Sequence, residues 1–277
     1  MMKYSVFITL FILYSLGLIG QGEIASTSTT YVCPPCNSQC DDLVFSEAGT
    51  CEHCSMQLIT FEEAQKIKSK MKKKMSIAFY LQPGVEILDF AGPMEVFAYA
   101  GYKVFTVSRT KDPIHSQGIL SINPDYSIED APEADILAFF GGNSTAGFAD
   151  EAIIDWIKDQ KKVDYYFSVC TGAFALAKAG LLDGKTATTF HSAIDGLRDN
   201  FPKINVVSNA RFVDNGKVIT TAGVSAGIDG ALHMVAKLQG LDKAKEVTIY
   251  MEYDKWTPGE GMILTDDNPY KITTKEK

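Results

Sequence analysis

The chain is 277 residues long, 46% hydrophobic and 22% charged, which accommodates one full-sized α/β domain plus a smaller module and excludes disorder throughout. A net charge of -8 and a pI of about 5.1 exclude a general nucleic-acid-binding surface, which needs a basic face. The six cysteines divide unevenly, with Cys33, Cys36, Cys40, Cys51 and Cys54 clustered and Cys170 alone, so two separate chemistries are expected.

Residues 1–25 have the layout of a secretory signal peptide. Lys3 precedes an apolar run from Tyr4 to Ile19, and Gly17, Gly20, Gly22 and Ala25 offer cleavage points. Export to the periplasm or the extracellular space is the expectation, with no stable membrane span after cleavage. Uncleaved, the run would act as an anchor, although it falls a little short of the about 20 residues a spanning helix needs.

Next come Tyr31-Val32-Cys33-Pro34-Pro35-Cys36 and Gly49-Thr50-Cys51-Glu52-His53-Cys54, two Cys-x-x-Cys pairs within a module spanning 26–59. Each pair forms a tight knuckle that offers two thiolates, so Cys33, Cys36, Cys51 and Cys54 are the expected ligands of a tetrahedral zinc ion. Cys40 is left as a spare thiol or an alternative ligand, and disulfides are the competing reading for exported cysteines. The stretch resembles the heavy-metal-binding domain. Tyr31, Cys33, Pro34, Gly49, Cys51, Cys54, Met56 and Leu58 match that domain's pattern, whereas Pro35 and Cys36 replace its Met-His and Ser55 its second Gly. The resemblance implies a bound heavy metal. Loss of the Met-His element points to a closed four-thiolate zinc site rather than copper trafficking.

Thr60-Phe61-Glu62-Glu63 reads as a capping box opening a helix through Ala64, Ile67 and Met71. Lysines 66, 68, 70, 72, 73 and 74 make 60–74 a solvated helical linker. From Met75 strands and helices alternate: a strand over Ser76–Leu81, a helix from Gly92 to Gly101, a strand over Lys103–Ser108, a small β excursion from Ile114 to Ile128, a strand over Asp135–Phe140 and a helix from Asp150 to Lys158. Asp214-Asn215-Gly216 between two apolar runs signals a hairpin. Helices over Ser225–Leu238 and Asp242–Tyr253 follow, and 257–277 reads as a polar, loose tail. This alternation predicts, for 75–256, an α/β fold with a mostly parallel sheet covered by helices on both faces, three layers in all.

Val163 to Val169 is an apolar, aromatic-rich run that ends in Cys170, and a small-residue helix follows, so Cys170 is placed on a strand-to-helix turn. Side chains there project above the carboxyl ends of a parallel sheet, where ligands of open α/β folds bind. The turn has the geometry of a nucleophile elbow with Cys in place of Ser, and the next helix favours a thiolate. A small buried hydrophobe is the competing reading of such a cysteine. Gly141-Gly142 ends the neighbouring strand, and with Thr171 its N–H groups are expected to line an oxyanion hole. Asp89 falls in the loop between first strand and first helix, at the same sheet edge, as an acid-base partner or simply as a cap for that helix.

These residues carry a further resemblance. Leu88-Asp89-Phe90-Ala91-Gly92-Pro93, Gly141-Gly142, Ser168-Val169-Cys170-Thr171-Gly172, Ala179 to Thr189 and Thr221 to Asp229 resemble the ThiJ/PfpI superfamily over about 75–254. Its fold is flavodoxin-like, as in the class I glutamine amidotransferases, and the similarity is greater to its isonitrile hydratase branch and to the amino-terminal domains of AraC-type regulators. The resemblance implies Cys170 as nucleophile, Asp89 as its acid-base partner, Thr171 beside the nucleophile, no cofactor for the α/β domain, and a homodimer. PfpI-type peptidases place His directly after the nucleophile. Thr171 stands there instead, so a Cys-His peptidase dyad is not supported, and Phe190-His191 replaces the relatives' His-Trp pair in the pocket wall. His115 and His233 are expected on the surface or a helix face. Three functions compete: a hydratase or lyase acting on a small electrophile, a ligand, redox or metal sensor on the same fold, and a metal-binding protein whose small module is the functional part and whose α/β body is passive.

Overall fold

The computed structural model describes residues 29–34, 40, 43–70, 74–142, 148–266 and 268–270, so the expected signal peptide and Cys36 lie outside the described residues. Two compact units share the chain, Met1–Lys72 and Lys73–Lys277.

In the first unit, strands β1 (Tyr31–Val32), β2 (Val44–Phe45) and β3 (Ile59–Thr60) form an antiparallel sheet of order β2-β1-β3. Its core is small: Cys33, Cys40, Cys51 and Leu58. Helix α1 (Phe61–Lys70) opens on the expected capping box, with Glu63 N–H donating to Thr60 Oγ1 at 3.2 Å and Thr60 N–H donating back to Glu63 Oε2 at 3.0 Å.

The second unit runs β4 (Ser76–Tyr80), α2 (Ile87–Tyr99), β5 (Lys103–Ser108), β6 (Ile114–Ser116), β7 (Leu120–Ile122), β8 (Tyr126–Ser127), β9 (Ile136–Phe139), α3 (Glu151–Asp159), β10 (Tyr165–Val169), α4 (Ala173–Lys178), β11 (Thr186–Ala187), α5 (Ile194–Asn200), β12 (Asn205–Val206), β13 (Phe212–Asp214), β14 (Val218–Thr221), α6 (Ala226–Gln239), α7 (Leu241–Tyr250) and β15 (Met262–Ile263). Eight strands form one sheet of order β15-β13-β14-β10-β9-β4-β5-β8, parallel except at the β13–β14 hairpin.

Period-two alternation sends the two faces of each strand into different cores. From β4 and its end, Ile77, Phe79 and Leu81 pack with Val96 and Phe97 of α2, Leu232 and Val235 of α6 and Val247 of α7. Ala78 and Tyr80 face the opposite side, with Ile153 and Ile157 of α3, Leu176 of α4 and Leu197 of α5. The three-layer α/β architecture is therefore the observed one. Among the described residues no helix is long and apolar enough to cross a membrane.

Three details differ from expectation. Helix α2 starts at Ile87, five positions upstream of the predicted Gly92, which puts Asp89 in its first turn and Pro93 in its interior. Burial of Phe90 against the core extends the helix there. The expected loose tail is ordered through β15, whose pairing with β13 uses backbone groups that a polar composition does not reveal. His233 is fully buried rather than on a surface. Its Nε2 lies 2.9 Å from Asp214 Oδ2 and its Nδ1 2.8 Å from the hydroxyl of Tyr270, while Lys237 Nζ reaches Asp214 Oδ2 at 2.9 Å. Sequence periodicity could not show this, because α6 is buried nearly all round.

Candidate active site and cysteine cluster

Strand β10 is buried from Tyr166 onward and delivers Cys170 to the carboxyl edge of the sheet, between β9 and β14. Cys170 has φ 59°, in the left-handed region that side chains with a Cβ rarely adopt. Holding a residue there costs roughly 1–3 kcal/mol and requires anchors. Two are present: the Cys170 N–H donates to the Ala222 carbonyl at 3.0 Å, and the Cys170 carbonyl accepts from Thr189 Oγ1 at 2.7 Å.

Asp89 projects from α2 to the same point and is completely buried. Its Oδ2 accepts from the Gly141 N–H at 2.9 Å and its Oδ1 from the Val224 N–H at 2.9 Å, and the Cys170 thiol lies close enough for the two groups to shift each other's pKa. Val224 itself sits at φ 54°, a second left-handed residue and a β-branched one. Two strained residues bracketing one buried acid mark a site where geometry has been held against local preference.

The glycines make room rather than an anion hole of three donors. The Gly141 N–H, expected to face a developing anion, is occupied by Asp89. A Cβ on Gly141 would lie 2.7 Å from Cys170 Sγ, from the Thr171 nitrogen and from Thr171 Oγ1, so only a glycine lets the elbow approach the end of β9 this closely. A Cβ on Gly142 would meet the Gly84 carbonyl oxygen at 2.1 Å, and this position packs the β9 loop against the loop leading to Asp89. Thr171, next to Cys170, is buried with Oγ1 lacking a protein partner, and its N–H draws the Cys170 thiol down against the effect of burial. Gly141→Ala is expected to lower turnover by about a hundredfold, the loss typical of a misplaced catalytic geometry, because the added Cβ must displace the Cys170 sulfur and the Thr171 backbone. Unchanged steady-state kinetics would show that this close approach does not position the reacting group.

Burial pushes the Asp89 carboxyl up to about 6, against the pull of the Val224 and Gly141 N–H donors. Burial, followed by the Asp89 charge, pushes the Cys170 thiol up to about 12. The helix-terminus effect foreseen for the thiolate is therefore outweighed. At neutral pH these shifts leave a thiol beside a carboxylate, an arrangement in which the carboxylate could serve as a base.

In the first unit the sulfur atoms of Cys33, Cys40, Cys51 and Cys54 all lie within 4.8 Å of one another. Tetrahedral thiolates around zinc at about 2.3 Å stand roughly 3.8 Å apart; the Cys40–Cys33 separation is 3.7 Å, whereas Cys33 and Cys54 are closer, at 3.1 Å. Among the described residues Cys40, not one of the four residues expected, completes the quartet. The backbone N–H groups of Cys54 and His53 hold the Cys51 thiol below the ordinary cysteine range, as a knuckle does for a ligand. Four clustered sulfurs fit a thiophilic metal ion, whose chemistry here would be to cross-link a fold with a very small core.

Sequence reading placed Val224 and Thr189 inside matching segments but gave neither a role, because a main-chain donor and a lone buried hydroxyl carry no chemical signature of their own. It also missed Glu86, which caps α2 by position and hydrogen-bonds Gln117 from the β6–β7 hairpin. Phe190 packs over Gly223, where a Cβ would lie 2.3 Å from its ring, and His191 beside it is exposed.

A three-layer α/β sheet that presents a cysteine on a tight turn at its carboxyl edge, beside a buried acid, defines the class of protein. The chain belongs to the DJ-1/PfpI family, which its residues 75–237 match. It is 37% identical over 182 residues to isonitrile hydratase of Pseudomonas putida, covering 65% of this chain and 78% of that protein. It is 28% identical over 177 residues to the HTH-type transcriptional regulator CdhR of Pseudomonas aeruginosa, spanning 61% of this chain and only 52% of the regulator. A solved ThiJ/PfpI family protein from Pseudomonas syringae superposes with a TM-score of 0.61 at 32% identity, over 67% of this chain and 77% of the other.

Proposed function

We propose that the α/β unit is a cofactor-independent hydratase in which Cys170 attacks the electrophilic carbon of a small molecule of the isonitrile class. The observation that carries the reading is the buried Asp89 carboxyl group beside the Cys170 thiol, at an elbow packed tightly against Gly141. Similarity to isonitrile hydratase supplies the substrate class. In the proposed sequence the Sγ proton passes to Asp89 as sulfur bonds to the terminal carbon, and Asp89 returns that proton to the same carbon, giving a thioimidate. Water then adds across the C=N bond, with its proton relayed through Asp89 to nitrogen. The C–S bond breaks, the N-substituted formamide departs, and the hydroxyl proton of the adduct returns to sulfur. The unpartnered Thr171 hydroxyl is placed to hold the attacking water or the substrate nitrogen.

The test is formamide production from a small aliphatic isonitrile by the full chain. Because the base must be ionised, kcat/KM is expected to fall on the acid side as pH drops through about 6, where Asp89 takes up its proton. Cys170→Ala should form no product, and equal product from that variant would sink the hydratase. Saturable isonitrile binding without turnover would support instead the ligand-sensing reading that similarity to CdhR suggests. The proposal for the first unit is a structural zinc ion held by Cys33, Cys40, Cys51 and Cys54.

A further inference from the structure

We infer that Thr189 is a positioning residue for the nucleophile: its hydroxyl, bonded to the Cys170 carbonyl, fixes the Cys170–Thr171 peptide plane so that the Thr171 N–H faces the reacting sulfur. The inference deepens the hydratase reading and rests on it for the role of Cys170. A trans peptide is planar, and its C=O and N–H point in opposite directions. Anchoring one therefore aims the other.

The carbonyl end of this plane accepts from Thr189 Oγ1 at 2.7 Å. The N–H end belongs to Thr171, whose nitrogen lies 2.7 Å from the point a Gly141 Cβ would occupy, as does Cys170 Sγ, and that N–H holds the thiol down against burial. The Ala173 N–H also donates to the Cys170 carbonyl, but it belongs to the same turn and moves with it. Thr189 comes from a separate segment. It is almost completely buried just past β11, and the neighbouring Thr188 N–H donates to Thr220 Oγ1 of β14 at 3.0 Å. The hydroxyl thus ties the elbow to a strand already in place, while the next residue, Phe190, lies over Gly223 at the same sheet edge. A left-handed Cys170 has no local preference to keep its peptide in this orientation, so an outside anchor is required.

The test is peptide-resolved mass spectrometry of Cys170 alkylation by iodoacetamide across pH in the full chain. Thr189→Val keeps the shape and removes the donor. It is expected to move the labelling profile up by about one pH unit and to slow labelling at fixed pH about tenfold, because a thiolate loses one charge-assisted N–H bond. Thr189→Ser keeps the donor and should stay within about twofold of the parent. A merely structural role predicts the opposite for Thr189→Val, since a loosened pocket exposes the thiol and speeds labelling; that result, or an unchanged profile, would overturn the inference. If the valine variant does not fold, Thr189→Ala carries the same comparison. Labelling needs no substrate, so the two readings fail separately. A parent chain that hydrates no isonitrile, with the Thr189→Val shift intact, defeats only the hydratase. Full parent turnover with an unshifted Thr189→Val profile defeats only the positioning role.

Discussion

Asp89→Asn is expected to abolish turnover while making Cys170 more reactive toward iodoacetamide at pH 8. The two effects separate because Asp89 acts on the thiol in two ways. As a base it accepts the thiol proton, and replacing such a group typically costs about 10²- to 10⁴-fold in rate. As a charge it raises the thiol, second only to burial, and removing one pKa unit of that effect speeds labelling about tenfold. Asparagine keeps the size and one carbonyl acceptor for the Gly141 or Val224 N–H, but it cannot carry a proton. Peptide-resolved labelling beside a formamide assay reads both. If labelling slows together with turnover, Asp89 favours the thiolate rather than opposing it, and its role as base must be abandoned.

In the first unit, metal loading is expected to reach about one zinc ion per chain, and Cys40→Ser should lower the affinity more than about a hundredfold, since even outer partners of such ligands are worth 10- to 100-fold. Apparent zinc binding to small thiolate folds amounts to roughly 10–16 kcal/mol, and here it faces a core of only three cysteines and Leu58. Chelation should therefore unfold residues 31–58 without changing the fluorescence of Trp156 and Trp256, both of which lie in the second unit. Cys36→Ser discriminates between the ligand sets. A larger loss there than at Cys40 would restore the four residues that the paired spacing suggests, and elemental analysis showing no metal would end the proposal for either set.

The elbow was legible because its signal is coarse: an apolar strand, one cysteine, then small residues. The same applies to the three layers, which follow from alternating apolar runs, and to the hairpin at Asp214-Asn215-Gly216, where turn chemistry is local. Asp89 was legible as a residue but not as a placement. Pro93 suggested a helix starting near Gly92, whereas burial of Phe90 begins it at Ile87. Cys40 was read as left over because spacing counts pairs, while proximity depends on how β1 and the Cys51 knuckle bring their sulfurs together. The strand at Met262–Ile263 was invisible for a different reason. It joins the sheet through main-chain groups, and two residues hold no periodic pattern.

The carboxyl group of Asp89 is gripped by two main-chain N–H groups, one at Gly141 and one at Val224. Main-chain donors persist through almost any exchange of side chain, provided the backbone path is kept. The exception is Gly141 itself, where an added Cβ would meet Cys170 Sγ and the Thr171 nitrogen at 2.7 Å. The grip on the acid therefore depends on one glycine and on the left-handed turn at Val224, and on no companion side chain.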